Sequence, residues 1–215
     1  MTAVTSKAKS AKQQERGKER RRQIVAATRE LLGHVTVDEL TLSDIAKKAE
    51  IPISSLYHFY PNVTEVYRDL AEQLTDDFAD CLQLLFQEPL PPTWQGFLEL
   101  FVETAAELYE ADKSATQLYL SGKAPAIVWA EGRAGDQKIV DMLLAELSTI
   151  FELPKLPNIK DVIFNTLEIV DLFFCLSVAK HNRINDEAIA EAKRAGKAYL
   201  RTYFPDTLPL VMADA

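Results

Sequence analysis

The sequence predicts an all-α protein in which a three-helix N-terminal unit is joined through a long helix to a larger helical bundle. Three observations predict it. Apolar residues recur at helical spacing along most of the chain. No segment shows the alternation of a half-buried strand. Prolines and capping residues cut residues 41–62 into two short helices and leave the later helices long. With 215 residues, 47% of them hydrophobic, the chain can bury one good core or carry a small domain on a larger one.

Residues 1–17 are rich in Lys, Ala, Gln and Ser, and are expected to form a disordered basic arm. A helix is expected from Lys18, with Ile24, Ala27, Thr28, Leu31 and Leu32 as its buried stripe and Gly33 as its stop. Thr41-Leu-Ser-Asp44 has the form of a capping box and opens a short helix that buries Leu42, Ile45, Ala46 and Ala49. The chain turns at Glu50-Ile51-Pro52. Pro52 marks the start of the next helix, and Pro61 ends it near Tyr60. Asn62 then caps a long amphipathic helix carrying Val66, Leu70, Leu74, Phe78, Cys81, Leu82 and Leu85.

Beyond Pro91-Pro92 the stripes are Trp94, Phe97, Leu98, Phe101, Ala105 and Leu108, and then Ile139, Leu143, Leu147 and Ile150. Residues 158–182 are apolar on nearly every side, which places them at a centre or in an interface. A last helix from Asp186 buries Ile189, Ala192, Gly196, Tyr199, Leu200 and Tyr203 and stops before Pro205. The expected division is a disordered basic arm at 1–17, a helix-turn-helix domain at 18–68 and the larger bundle at 69–215.

Net charge is −8, which taken whole argues against a polyanionic partner. The charge is unevenly placed: residues 1–70 carry a net +3 and residues 71–215 a net −11. Within the first 22 residues Lys7, Lys9, Lys12, Arg16, Lys18, Arg20, Arg21 and Arg22 face only Glu15 and Glu19. A basic end on an acidic body suggests a polyanion for one end only.

Two short helices and a tight turn, braced by a preceding helix, are the minimal helix-turn-helix, whose second helix enters the major groove. With Ile51, Leu56 and Phe59 or Tyr60 as anchors, the outer positions of Pro52–Tyr60 are Ile53, Ser54, Ser55, Tyr57 and His58. The serines allow close approach and hydroxyl hydrogen bonds. Tyr57 and His58 reach phosphates or base edges, and Ile53 suits a thymine methyl. Thr41, Ser43 and Lys47 lie where the first helix would cross the sugar-phosphate backbone. Two short helices alone occur in many domains that never meet DNA, and a basic tail alone is commonly a solubilising one. Here the tail, with Arg20, Arg21 and Arg22, feeds directly into the brace helix.

The segment Thr41-Leu-Ser-Asp-Ile-Ala-Lys-Lys-Ala-Glu-Ile-Pro-Ile-Ser-Ser-Leu-Tyr-His-Phe-Tyr-Pro-Asn62 resembles the signature of TetR-type (TetR/AcrR) transcription regulators, and the resemblance covers about Arg20 to Leu74. It implies a ligand-responsive regulator, usually a repressor, that binds a palindromic operator as a homodimer and is released or altered by a small-molecule effector. It implies pairing through about 158–182 and 186–204, an effector pocket in the C-terminal bundle, and an effector that changes the separation of the two DNA heads. Three positions depart from the pattern. Glu50 stands where glycine is usual, Tyr60 where phenylalanine is usual, and Val63 where a phosphate-contacting lysine is usual.

Ala188, Ala192, Ala195 and Gly196 are small enough for close helix approach, in a dimer or in a monomer core. Candidates to line an effector pocket are Phe78, Phe97, Phe101, Tyr119, Trp129 and Phe174, with Glu103 or Asp171 as polar handles. Plain core packing is the alternative for each aromatic residue. Asp171 stands out because its neighbours are nearly all apolar. It either receives a cationic or hydroxyl-bearing ligand or satisfies a helix terminus.

No Gly-rich phosphate loop, nucleophile elbow or His/carboxylate cluster points to an enzyme. Cys81, Cys175 and the three histidines lack metal-ligand spacing, so no metal or cofactor is expected and the thiols are expected free. The most apolar stretch, Ile169–Ala179, is too short to span a membrane and contains Asp171. With no apolar leader, a cytoplasmic protein is expected. The competing reading is a helical protein-interaction adaptor whose basic tail meets an acidic partner.

Overall fold

The computed structural model describes residues 2–211, with side chains described from Gln14 onward. Its helices are α1 (Thr2–Leu32), α2 (Leu42–Lys48), α3 (Ile53–Phe59), α4 (Val63–Leu85), α5 (Trp94–Ala111), the short α6 (Lys113–Ala115) running into a π-helix (Thr116–Leu120), α7 (Ala126–Ile150), α8 (Ile159–His181) and α9 (Asp186–Leu200). Among the described residues the extended structure is one isolated bridge between Phe151 and Leu210. The fold is all-α, as the periodicity predicts, and it divides into two compact units between Leu70 and Ala71.

In the smaller unit Ile24, Leu32, Ile45, Leu56, Val66 and Tyr67 are buried, so α1, α2, α3 and the first turns of α4 share one core. The Tyr67 hydroxyl donates to the Val37 carbonyl at 2.7 Å, which fastens α4 to the α1–α2 connection. One difference from the sequence reading concerns α1. It begins at Thr2, so the backbone of 2–17 is helical where a disordered arm was expected. The reason is local, because ten of the sixteen residues 2–17 are Ala, Lys, Gln, Glu or Arg, which are strong helix formers. Gly33 does follow the last residue of α1, but it does not adopt a positive φ. The end is closed by short-range bonds, Gly33 N–H to Glu30 at 3.1 Å and His34 N–H to Leu31 at 2.9 Å.

The larger unit is built on Trp94, Val102, Ile139, Val140, Phe151, Val162, Val170, Phe174 and Ala192, contributed by α5, α7, α8 and α9 with the loops between them. Its C-terminal segment is tied back over α5. The Trp94 indole N–H donates to the Pro205 carbonyl at 2.9 Å, and the Gln95 amide to Asp206 at 2.7 Å. α8 runs from its Asn158 cap to Asn182, whose φ of 55° is the left-handed stop that asparagine tolerates. By length and composition α8 passes for a membrane-crossing helix, its most apolar 18-residue window having a mean hydropathy of 1.9. Yet Val162, Thr166, Val170 and Phe174 on this helix are buried in the bundle. Cys81 and Cys175 are free and half-buried.

Candidate nucleic-acid interface

The turn between α2 and α3 is set by backbone hydrogen bonds. The Ile51 N–H donates to Ala46 at 3.0 Å and the Glu50 N–H to Lys47 at 3.3 Å, the paired bonds of a Schellman helix end. That geometry puts Glu50 at φ 53°, the left-handed conformation that glycine adopts freely and that costs another residue about 1 kcal/mol. α2 starts at the expected capping box. The Thr41 hydroxyl accepts from the Asp44 N–H at 3.3 Å, and the Asp44 carboxylate accepts from the Thr41 N–H at 3.1 Å. The Thr41 hydroxyl and amide hold the Asp44 carboxyl below the usual carboxylate range.

α3 is anchored by Leu56 and Ile51, with Tyr60, fully buried, as the aromatic anchor at its end; Phe59 is only half-buried. Opposite this anchor, Ile53 is 41% exposed and Tyr57 57% exposed, and Ser54 and His58 are exposed as well. Ser55 is half-buried. An apolar side chain and a tyrosine held outward on a seven-residue helix leave contact area that the domain core does not use. Thr41, Ser43 and Lys47 are exposed on α2, as the sequence reading placed them.

Arg20, Arg21 and Arg22 of α1 are already engaged. Arg20 donates to Gln23 and Arg22 to Glu19, each one helical turn away. Arg21 pairs with Asp69 at 3.2 Å and lies 5.1 Å from the centroid of the Tyr60 ring. The Tyr60 hydroxyl donates to the same Asp69 carboxylate at 2.5 Å. Burial, followed by that bond to Asp69, pushes the Tyr60 hydroxyl well above its ordinary value. The departure from phenylalanine at 60 therefore supplies one corner of a clasp joining α1, the end of α3 and α4. Sequence reading counted Arg21 with the basic tail and did not see Asp69.

In the larger unit the structure separates the pocket candidates. Phe97 and Phe101 line a small apolar cavity of about 30 Å³ between α5, α7, α8 and α9, and Phe78 packs on Phe101 with ring centroids 6.1 Å apart. Glu103 is exposed and paired with Lys193, so it is not a handle in any pocket. Tyr119, Trp129, Asp171 and Phe174 stand around a different feature, a polar cluster where α5, the π-helix, α7 and α8 meet.

Arg133 on α7 pairs with Glu168 on α8, and its guanidinium lies 3.9 Å from the centroid of the Trp129 ring. Trp129 itself is 44% exposed, a rim residue and not a lining one. Phe174 is fully buried edge-on to Tyr109, with ring centroids 6.2 Å apart. The π-helix, a form often found at functional sites, aims Tyr119 so that its hydroxyl donates to the Ala71 carbonyl of α4 at 2.8 Å. Its ring fits because residue 132 is glycine. A Cβ there would fall 2.6 Å from Tyr119 Cε1.

Burial pushes Asp171 up to about 7, with nearby Asp136 adding to the rise, and burial pushes Asp136 up to about 6; Arg133 opposes both. Burial also raises the Cys175 thiol to about 11 and Tyr119 to about 12. Sequence reading missed Tyr109, Arg133, Asp136 and Cys175. The available signal was Arg133 and Asp136 one turn apart on a helix that also carries Trp129. Among the described residues no group of His, Cys, Asp or Glu is arranged to hold a metal ion.

Residues 24–70 match the sequence profile of the bacterial regulatory proteins of the tetR family. No curated protein matches the chain. Among solved structures the fold is shared with a TetR-family transcriptional regulator from Streptomyces coelicolor (TM-score 0.70, 20% identity, 86% of this chain and 99% of that one). It is also shared with a TetR transcriptional regulator from a Rhodococcus species (0.65, 16%, 88% and 99%). A third is the multidrug binding protein EbrR complexed with ethidium (0.59, 18%, 84% and 98%).

Proposed function

We propose that this chain, whose residues 24–70 match the tetR family profile, is a dimeric repressor that reads a palindromic operator and is released by a small-molecule effector. The observation that carries the DNA reading is the outward face of α3, where Ile53 and Tyr57 are exposed beside Ser54 and His58 while Leu56 is buried. Ser55, at the edge of this face, completes the reading set. Ser43, Lys47 and the amide end of α2 meet phosphates. Arg20, Arg21 and Arg22 add positive charge next to this face, Arg21 while holding the clasp. The reading needs no catalytic residue, metal or cofactor, and it places the protein in the cytoplasm.

The dimer rests on α8. Leu172 and Leu176, one turn apart, are 54% and 57% exposed, an apolar face that a second copy would cover. The small residues of α9 serve a different end. Ala192 is fully buried, and a Cβ on Gly196 would meet Leu98, Thr166 and Val170 of the same unit. The effector side rests on the polar cluster, whose Tyr119 is bonded to α4, the unbroken helix from Val63 to Leu85. EbrR, solved with ethidium, supports a small-molecule ligand in a fold of this kind.

Selection of bound sequences from a random DNA library tests the reading. It predicts enrichment of two inverted half-sites, as a two-fold dimer requires. Retention of DNA with no enriched sequence would mean charge attraction alone, and would reject a sequence-reading regulator.

A further inference from the structure

The outward face of α3 carries no side chain of the kind that forks onto a base edge. Residues 51–60 read Ile-Pro-Ile-Ser-Ser-Leu-Tyr-His-Phe-Tyr, with no Arg, Lys, Asn, Gln, Asp or Glu among them. Those six are the side chains whose charged or amide ends tell guanine, adenine and cytosine apart in the major groove. The nearest cations in sequence, Lys47 and Lys48, stand on α2, and Lys48 is taken by Glu30. What α3 offers instead is the hydroxyls of Ser54 and Ser55, the His58 imidazole standing edge-on to Phe59 at 5.4 Å, and an apolar strip. A serine hydroxyl donates or accepts, so it suits more than one base.

The strip is Ile53 and Tyr57, one helical turn apart and 41% and 57% exposed. Ile53 is the first residue of α3. Its turn is held by the Pro52 carbonyl, which accepts from the Ser55 N–H at 2.9 Å and the Leu56 N–H at 3.2 Å, and by Leu56, fully buried on the opposite side. The branched side chain has few rotamers to lose on contact. One exposed isoleucine is ordinary on a protein surface. This one opens the helix assigned to the groove, stands beside an exposed ring, and has no forked donor near it on α3. The unit around it, residues 1–70, carries a net +3, which suits a polyanion. The apolar group that a base edge presents in the major groove is the 5-methyl of thymine.

We propose that Ile53 is the specificity-determining residue of α3 and that it reads the 5-methyl group of one thymine in each half-site. This deepens the regulator reading and rests on it. Tyr57 extends the apolar strip by one turn, and Ser54 adds a hydroxyl contact beside it. Discrimination between sites is then carried by apolar burial, while the phosphate contacts of Ser43, Lys47 and the α2 amides set affinity for any sequence. The two contributions respond differently to salt, because counterion release belongs to the phosphates alone.

The test uses the full chain and the duplex selected from the random library, with each thymine in turn replaced by deoxyuridine. That exchange removes the methyl and leaves pairing, charge and every hydrogen-bonding atom of the base in place. The expected result is one thymine per half-site at which the exchange weakens binding about fourfold, and about 15-fold when it is made in both half-sites. That penalty should be the same at about 50 and about 200 mM salt, over which the affinity itself falls steeply. Ile53→Ala should keep its thermal transition, the side chain being 41% exposed, and should bind the thymine and deoxyuridine duplexes equally at that position. Selected half-sites without thymine, equal binding of every deoxyuridine duplex, a penalty that fades with salt, or an undiminished penalty in Ile53→Ala overturns the proposal. An enriched palindrome with any of those results leaves the regulator standing without this contact. Failure to enrich any sequence removes both.

Discussion

The two units carry their candidate functions on opposite sides of their cores. In the smaller unit the groups that matter point out: Ile53, Ser54, Tyr57 and His58 are exposed on α3, and Leu56 and Tyr60 beneath them are buried. In the larger unit they lie partly inside, with Tyr109, Asp136 and Asp171 half-buried and desolvation raising the pKa of each. The difference is physical. A rigid macromolecular ligand is met at a surface, where a polar side chain costs little before binding. A small ligand is enclosed, so the groups that greet it are held desolvated while they wait. Function therefore sits lightly on the stability of the first unit and heavily on that of the second.

Removing the apolar face of α8 should have the largest effect. Leu172→Glu with Leu176→Glu is expected to give a monomer by sedimentation and to weaken binding to a palindromic site by about 100-fold. Binding to a single half-site should change little. A dimer that persists would move the interface elsewhere.

A smaller effect sharpens the contrast in stability. Asp171 is raised from 3.8 to about 7 by burial, so the ligand-free folded chain holds a proton that the unfolded chain releases. Its contribution is present in full below about pH 4 and is lost as pH rises through about 7. Asp171→Asn should therefore stabilise the ligand-free protein on the order of 2 kcal/mol at about pH 8, roughly 4–8 °C in Tm, and by much less at about pH 4.5. A variant that melts equally relative to wild type at both pH values would show that Asp171 is not desolvated.

The smallest expected effect lies in the turn. Glu50 holds a left-handed φ of 53°, so Glu50→Gly should stabilise the first unit by about 0.5–1 kcal/mol, read as a small rise in Tm. A fall in Tm would mean that the Glu50 side chain contributes more than its backbone costs.

These contrasts also explain what the sequence made legible. The smaller unit is written in short-range signals. The Thr41–Asp44 box, the Asn62 cap and the prolines at 52 and 61 act over three or four residues, and they place α2, α3 and the start of α4 where the structure has them. The outward set on α3 followed from helical period and two anchors. The Arg21–Tyr60–Asp69 clasp did not, because it joins residues 48 positions apart and no local rule links them. The polar cluster is worse placed for sequence reading, since it draws residues from α5, α7 and α8 around a π-helix that no periodicity announces. Asp171 was conspicuous as a lone acid in an apolar helix. Asp136, on the solvent-rich first half of α7, looked like any surface charge until α8 packed against it. The small residues of α9 misled for a related reason, because spacing shows that Gly196 permits a close approach and leaves open which helix makes it.

The central claim is that the outer face of α3 reads DNA sequence, and replacement of one exposed side chain tests it most directly. Tyr57→Ala should lower the ratio of affinity for the library-selected site over random DNA by at least about tenfold, with Tm unchanged because the side chain is 57% exposed. An unaltered ratio, with the fold intact by circular dichroism, would contradict the assignment of α3 as the reading helix.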